Sequence, residues 1–231
     1  MQNEISFTTV IQMSSKESKV EITGFLARHY DILVDIFSLG SYPIFIRRVI
    51  QKMNIQPGDH ILDLGCGTGR NSCLMAKYLA PEGMILGLDI GAEMIQQFQK
   101  KCRRFSNVHV QNKRIDEPLQ WQQLFDKVFI SFVFHGFPDD KKAIIIDNAK
   151  RALRPGGSLF ILDHNEYDID QKNFLFRWMF KKFECRLALD YLKVDWKKQL
   201  SAWGFHQFEE HLFYRKLIRL LKANLKDEVN K

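Results

Sequence analysis

The stretch His60–Asn71, "HILDLGCGTGRN", starts apolar and ends in a turn with glycine at positions 65, 67 and 69. It is the first of five short apolar runs that alternate with helix-patterned stretches. "MILGLDI" (84–90), "VHVQ" (108–111), "KVFISFVF" (127–134) and "SLFILDH" (158–164) are the others. Between them lie "NSCLMAKYLA" (71–80), "AEMIQQFQKKCRRF" (92–105), with Met94, Ile95, Phe98 and Cys102 on one face, and "DDKKAIIIDNAKRAL" (139–153), which Asp139 is placed to cap. "RPGG" (154–157) reads as a turn before the fifth strand. The run 127–134 is apolar on both faces, as a central parallel strand must be. Repeated βα units require a doubly wound α/β arrangement, a parallel sheet with helices on both faces. Ligands in such sheets sit at the carboxyl ends of the strands, where strand order reverses.

The chain has 231 residues, enough for one sizeable core. No apolar run approaches the roughly 18 residues of a membrane span. The first 24 residues lack a basic start followed by an apolar stretch; they read as a flexible N-terminal segment and not as a signal peptide. The four cysteines form no CxxC pair, which suits a reduced, cytoplasmic protein and gives no support to a metal site. Residues 1–171 carry 20 basic and 20 acidic side chains, whereas residues 172–231 carry 14 and 7, so the whole net charge of +7 sits in the last quarter. Such a segment is either a solvated basic surface or an approach to phosphates, a membrane surface or an anionic substrate.

The glycine turn falls at the carboxyl end of the first strand. Glycine there permits positive φ and leaves room for a ligand to pass against the backbone, and the helix opening near Arg70 offers free N–H groups. Asp89 ends the second strand, 20 residues after Gly69, where an acid accepts from the two hydroxyls of a ribose. A dinucleotide turn reads G-x-G-x-x-G. Here the pattern is G-x-G-x-G preceded by Asp63, so the third glycine arrives one residue early for a pyrophosphate.

"LDLGCGTG" (62–69), "GLDI" (87–90) with "AEMI" behind it, and "LRPGGSLFILD" (153–163) resemble three motifs of class I S-adenosylmethionine (SAM)-dependent methyltransferases. "ARHYDILVDIFSLG" (27–40) is similar to the entry segment of the ubiquinone/menaquinone methyltransferase-like branch. The resemblance implies a Rossmann-like doubly wound, mostly parallel sheet with a C-terminal antiparallel hairpin, formed by one domain over residues 25–231. The tail 206–226, which by itself could also be a basic amphipathic helix, then becomes that hairpin. Carried over by position, Gly65, Gly67 and Gly69 would run beside the methionine part of SAM and Asp63 would sit under its amino group or order a water there. Asp89 would bind the ribose, Ile90 and Met94 would flank the adenine, Ser131 and Phe132 would line the sulfonium side, and Tyr30 would close over the cofactor. The acid that usually meets the adenine amine is missing. Asn112 or Lys113 stands there; Asn112 has an oxygen able to accept and Lys113 has none, and a shifted loop would bring Asp116 instead.

His135 and His164, each following a strand, are the candidates for a base, with Asp163 and Glu166 placed to orient His164; the alternative for each is a histidine satisfied by local backbone. The aromatic and basic stretch 173–196 carries Phe174, Trp178, Lys181, Lys182 and Cys185 at helical spacing. It reads as a substrate lid over the site, with Arg177, Lys181, Lys182 and Arg186 outward, or as a helix packed into the core. The expected reaction is methyl transfer from SAM to a small apolar acceptor, such as a quinone precursor or a lipid, with peripheral membrane association through the basic C-terminal quarter. RNA methylation and a non-catalytic SAM-binding partner protein are the alternatives. No RNA-binding motif accompanies the basic tail, so nucleic acid is not favoured.

Overall fold

A computed structural model describes residues 24, 29–174, 177, 178, 180 and 186–226. Of the expected flexible segment only Gly24 lies among them. Helices α1 (Tyr30–Phe37) and α2 (Tyr42–Lys52) precede a βα series: β1 (His60–Leu64), α3 (Arg70–Met75), β2 (Met84–Asp89), α4 (Ala92–Cys102), β3 (Val108–Asn112), β4 (Phe125–Ser131), α5 (Asp139–Ala152) and β5 (Leu153–His164). Then come α6 (Arg186–Tyr191), α7 (Trp196–Ala202), β6 (Phe205–Phe213) and β7 (Ile218–Leu225).

The sheet order is β3-β2-β1-β4-β5-β7-β6. The first five strands pair in parallel, and β7 runs antiparallel to both β5 and β6. The tail is therefore the expected hairpin. Strand order reverses between β1 and β4, and the glycine turn follows β1 at that point.

Alternating residues of each central strand feed two cores. Leu62, Leu64, Val128, Ile130, Leu159 and Ile161 pack under α5 and α7, while Ile61, Phe129, Phe160 and Leu162 pack under α2 and α4. Burial on both faces is why these strands carry no polar stripe.

Four local expectations are corrected. The helix after the glycine turn stops at Met75 and tightens into a 3-10 turn, Ala76–Tyr78. Asp139 lies inside the first turn of α5, and Pro138 takes the capping position. Strand β5 starts at Leu153: Leu153 pairs with Phe125, the register slips, and pairing resumes at Lys127 with Ser158, so "RPGG" is an irregular strand passage, with Gly156 at φ +74°. Cys73 and Cys102 are bonded to each other, joining α3 to α4, against the expectation of four reduced thiols. Their Cα atoms lie 5.4 Å apart because both helices pack on the same face of the sheet, which spacing along the chain does not show.

Candidate active site

Gly65, Gly67 and Gly69 all have left-handed backbone, with φ of +75°, +53° and +77°. Their surroundings differ. A Cβ on Gly65 would lie 2.8 Å from Val133 Cγ1, and one on Gly69 would lie 2.6 Å from Phe98 Cδ2. A Cβ on Gly67 would meet nothing within 4 Å. Gly65 and Gly69 thus serve close packing as well as backbone shape; Gly65 and Gly67 both line the cleft, and of the three only Gly67 has room for a Cβ. Cys66, between them, is buried, and burial pushes its thiol well above the usual range, so it is no nucleophile.

Asp89 fixes this turn. Its Oδ2 accepts from Gly67 N–H at 2.8 Å and its Oδ1 accepts from Gly91 N–H at 2.8 Å. Each oxygen keeps a further lone pair for an outside donor. Asp63 is fully buried in β1. Its Oδ2 accepts from Ser72 Oγ at 2.6 Å, and its Oδ1 has no partner in the structure. Burial, with the Asp89 charge adding to it and the Ser72 bond opposing, raises its carboxyl to about 7.

Helix α1 roofs the turn. Tyr30, Asp31 and Val34 line a cleft of about 870 Å³, counting its open mouth, together with Gly67, Asp89, Met94, Ser131, Phe132 and His135. The roof is latched by ion pairs: Asp31 accepts from Thr68 Oγ1 at 2.8 Å and from Lys101, and Asp35 pairs with Arg70 at 2.9 Å. Arg70 also lies over the Tyr42 ring, 4.8 Å from its centroid. Sequence reasoning missed Asp31, Asp35, Tyr42, Thr68 and Arg70. The acids one and five residues after Tyr30 were a signal, yet nothing in the chain shows which cations they meet.

On the other side of Asp89, a smaller cavity is lined by Ile90, Lys113, Asp116, Val133 and Phe137. Asn112 is exposed at the end of β3 and donates through Nδ2 to Ile90 O at 3.3 Å. It lines neither cavity, whereas Asp116 does line the smaller one. The Asn148 side chain holds the loop that presents Asp116, accepting from Leu119 N–H and donating to Ile115 O and Glu117 O.

The two histidines meet at the carboxyl ends of β4 and β5, with ring centroids 5.0 Å apart. Asp163 orients His135, where the chain order had suggested His164. Its Oδ1 lies 2.6 Å from His135 Nδ1, and its two oxygens also accept from the backbone N–H of His135 and His164. Burial opposes ionisation of Asp163, but the imidazole beside it and these bonds hold its carboxyl below the usual range. A buried carboxylate at Nδ1 assigns the proton there and makes Nε2 the basic nitrogen. Phe132, at φ +53°, directly follows β4, and the 3-10 turn Phe134–Gly136 swings His135 into the cleft. Glu166 does not reach either histidine: it accepts from Trp196 N–H and pairs with buried Arg219 at 2.8 Å.

The expected lid divides. Lys181, Lys182 and Cys185 lie outside the described residues. Phe174 and Trp178 are exposed, and Arg186 is exposed as expected. Phe180 is buried with its ring 5.2 Å from that of His164, a cover over that histidine. The far end is core: Tyr191 stacks on Trp196 at 4.6 Å, and Phe134 packs against both. Among the described residues of the basic C-terminal quarter, Arg219, Lys197 and Lys222 are paired with Glu166, Glu210 and Glu209.

Sheet order, a glycine turn at the switch point and an acid closing β2 make this a Rossmann-like α/β protein. The chain belongs to the family described as a methyltransferase domain, which it matches over residues 55–224, and is a SAM-dependent methyltransferase of the ubiquinone/menaquinone-like branch. It is 27% identical to a demethylmenaquinone methyltransferase of Staphylococcus carnosus (strain TM300), over 85% of this chain and 82% of that one. It is 30% identical to the ubiquinone/menaquinone biosynthesis C-methyltransferase UbiE of Wigglesworthia glossinidia brevipalpis, over 68% of this chain and 63% of that one. A SAM-dependent methyltransferase from Aquifex aeolicus shares the fold, with a TM-score of 0.59 and 18% identity over 78% of this chain and 89% of that one.

Proposed function

We propose that this methyltransferase methylates a small apolar acceptor of the quinone-precursor class. The observation that carries the reading is the Asp163–His135 pair at the mouth of the cleft, beside the cofactor-side turn. The names of the relatives support the acceptor class.

SAM fits the residues present. Gly67 leaves its backbone open to a ligand, Asp89 can accept from two ribose hydroxyls, and Asp63 Oδ1, buried beneath the turn and lining neither cavity, has no hydrogen-bond partner among the described residues and is the acceptor left for an ammonium or for a water beneath one. Ile90 and Asp116 border the adenine side, and Tyr30 and Met94 the ribose side, with Asn112 outside the cavity. When bound, SAM supplies a methyl group already activated on a sulfonium. What remains for the chain is positioning, exclusion of water and removal of a proton.

In this reading Ser131 and Phe132 shape the sulfonium side, with Ser131 held by Asn71 Nδ2 at 3.0 Å. His135 Nε2 takes the proton from an acceptor hydroxyl, which makes the acceptor more nucleophilic, and Asp163 stabilises the imidazolium that forms. Phe180 and His164 wall the acceptor side.

The test is label transfer from methyl-labelled SAM to three acceptors: a reduced quinone precursor, a phospholipid and an RNA transcript. The reading expects label on the reduced quinone precursor. Label on RNA alone, or SAM binding with no transfer to any acceptor, overturns it.

A further inference from the structure

Helix α1 has two faces. Tyr30 and Val34 line the cleft, while Ile32 and Ile36 point outward and are exposed. Leu39 extends that stripe at the tip of the α1–α2 loop, where it is 94% exposed, and Ile44 continues it on α2. Four exposed aliphatic side chains on adjoining elements form an unusual surface for a monomer.

Cations frame the stripe. Arg47 and Arg48 stand three and four residues after Ile44 on the exposed side of α2. The β6–β7 turn presents Arg215 and Lys216, both exposed and both in left-handed backbone. That turn is tied to the same corner, since Tyr214 Oη lies 2.8 Å from Ser41 Oγ and its ring 4.9 Å from Phe45. None of these four cations has an ion-pair partner among the described residues. The acids of α1 do not offset them, because Asp31 and Asp35 are held by Lys101 and Arg70.

We infer that the α1–α2 corner and the β6–β7 turn together form a docking surface for an anionic lipid bilayer, with Leu39 entering the headgroup region. Aliphatic side chains that bury in the acyl boundary, ringed by unpaired Arg and Lys, are what such a surface requires. Single-stranded RNA would need stacking rings in place of aliphatic tips, and a second copy of the chain would set these same cations against one another. The location differs from the C-terminal quarter as a whole, where Lys197, Arg219 and Lys222 are paired with glutamates. It places a membrane against the outer side of the helix that roofs the cleft, so an apolar acceptor would have a short route into the site. The surface stands whether or not the acceptor is a quinone precursor.

The test is co-sedimentation of the full chain with phosphatidylcholine vesicles, with and without phosphatidylglycerol. The expected result is binding to the phosphatidylglycerol vesicles and little to the neutral ones. An Arg215→Gln/Lys216→Gln double variant should bind about 25-fold more weakly, at about 5-fold per cation, and Leu39→Asp should bind more weakly too. SAM affinity and methyl transfer to a detergent-dispersed acceptor should stay unchanged in both variants, which separates this surface from the site. Equal binding to both kinds of vesicle, no binding to either, binding unaffected in the double variant, or binding of an RNA oligonucleotide in preference to vesicles would each overturn the inference.

Discussion

The three glycines of the turn differ in what surrounds them, and alanine at each should separate packing from ligand contact. At Gly67 an added Cβ meets no protein atom within 4 Å, so the cost to folding is the left-handed backbone alone, about 1–2 kcal/mol. For a chain of this length that lowers Tm by roughly 2–8 °C. At Gly69 the same backbone cost is joined by a Cβ 2.6 Å from Phe98 Cδ2 and 3.0 Å from Phe98 Cα, in the core, where overpacking adds about 1–3 kcal/mol. Gly69→Ala should therefore be the less stable variant by several degrees. SAM affinity should rank the other way. Gly67→Ala places its methyl in the space left for the ligand and should weaken SAM binding about tenfold or more, the equivalent of about 1.4 kcal/mol, while Gly67→Val should abolish it. Thermal unfolding and isothermal titration with SAM measure both. If Gly67→Ala binds SAM as the parent does, or is less stable than Gly69→Ala, the open space beside Gly67 is not the ligand path.

Asp63 has its carboxyl raised to about 7, so below that pH it is largely protonated in the ligand-free enzyme. An ammonium at its Oδ1 favours the carboxylate, so SAM affinity should rise as pH climbs through about 7 and then level, with a proton released on binding at the lower end. Asp63→Asn should flatten the profile, and a flat profile in the parent refutes the contact. By the same linkage the ligand-free enzyme loses stability from this group as pH rises from the unfolded carboxyl range to about 7, which a pH series of unfolding midpoints will show. Breaking the Cys73–Cys102 bond, with its sequence separation of 29, should cost about 3.6 kcal/mol, read as a lower midpoint for Cys73→Ser in denaturant. Phe180→Ala uncovers His164 and should lower turnover more than SAM affinity; the reverse order would make Phe180 plain core.

The central parallel strands were legible because both faces of each are buried, and the turn because three glycines directly follow a strand. What stayed hidden depends on partners distant in the chain. "RPGG" reads as a turn, yet Leu153 pairs with Phe125 before the register slips. Gly65 and Gly69 read as ligand contacts, and the chain alone does not show that Val133 and Phe98 also pack against them, so that packing adds a second need for glycine at both. Asp163 adjoins His164 in sequence, but the 3-10 turn after β4 brings His135 onto its carboxylate. The roof over the cleft rests on Asp31 meeting Lys101 and Asp35 meeting Arg70, pairings that exist only once α1 lies across the glycine turn.

Single-turnover transfer at saturating SAM shows whether His135, held by Asp163, serves methyl transfer beside the bound cofactor. The parent enzyme and His135→Gln should be compared with a reduced quinone precursor as acceptor. The expected rate in the variant is lower by about 10²–10⁴, the usual worth of a general base, with SAM affinity unchanged. An unchanged rate, or a loss that follows SAM affinity alone, would contradict it.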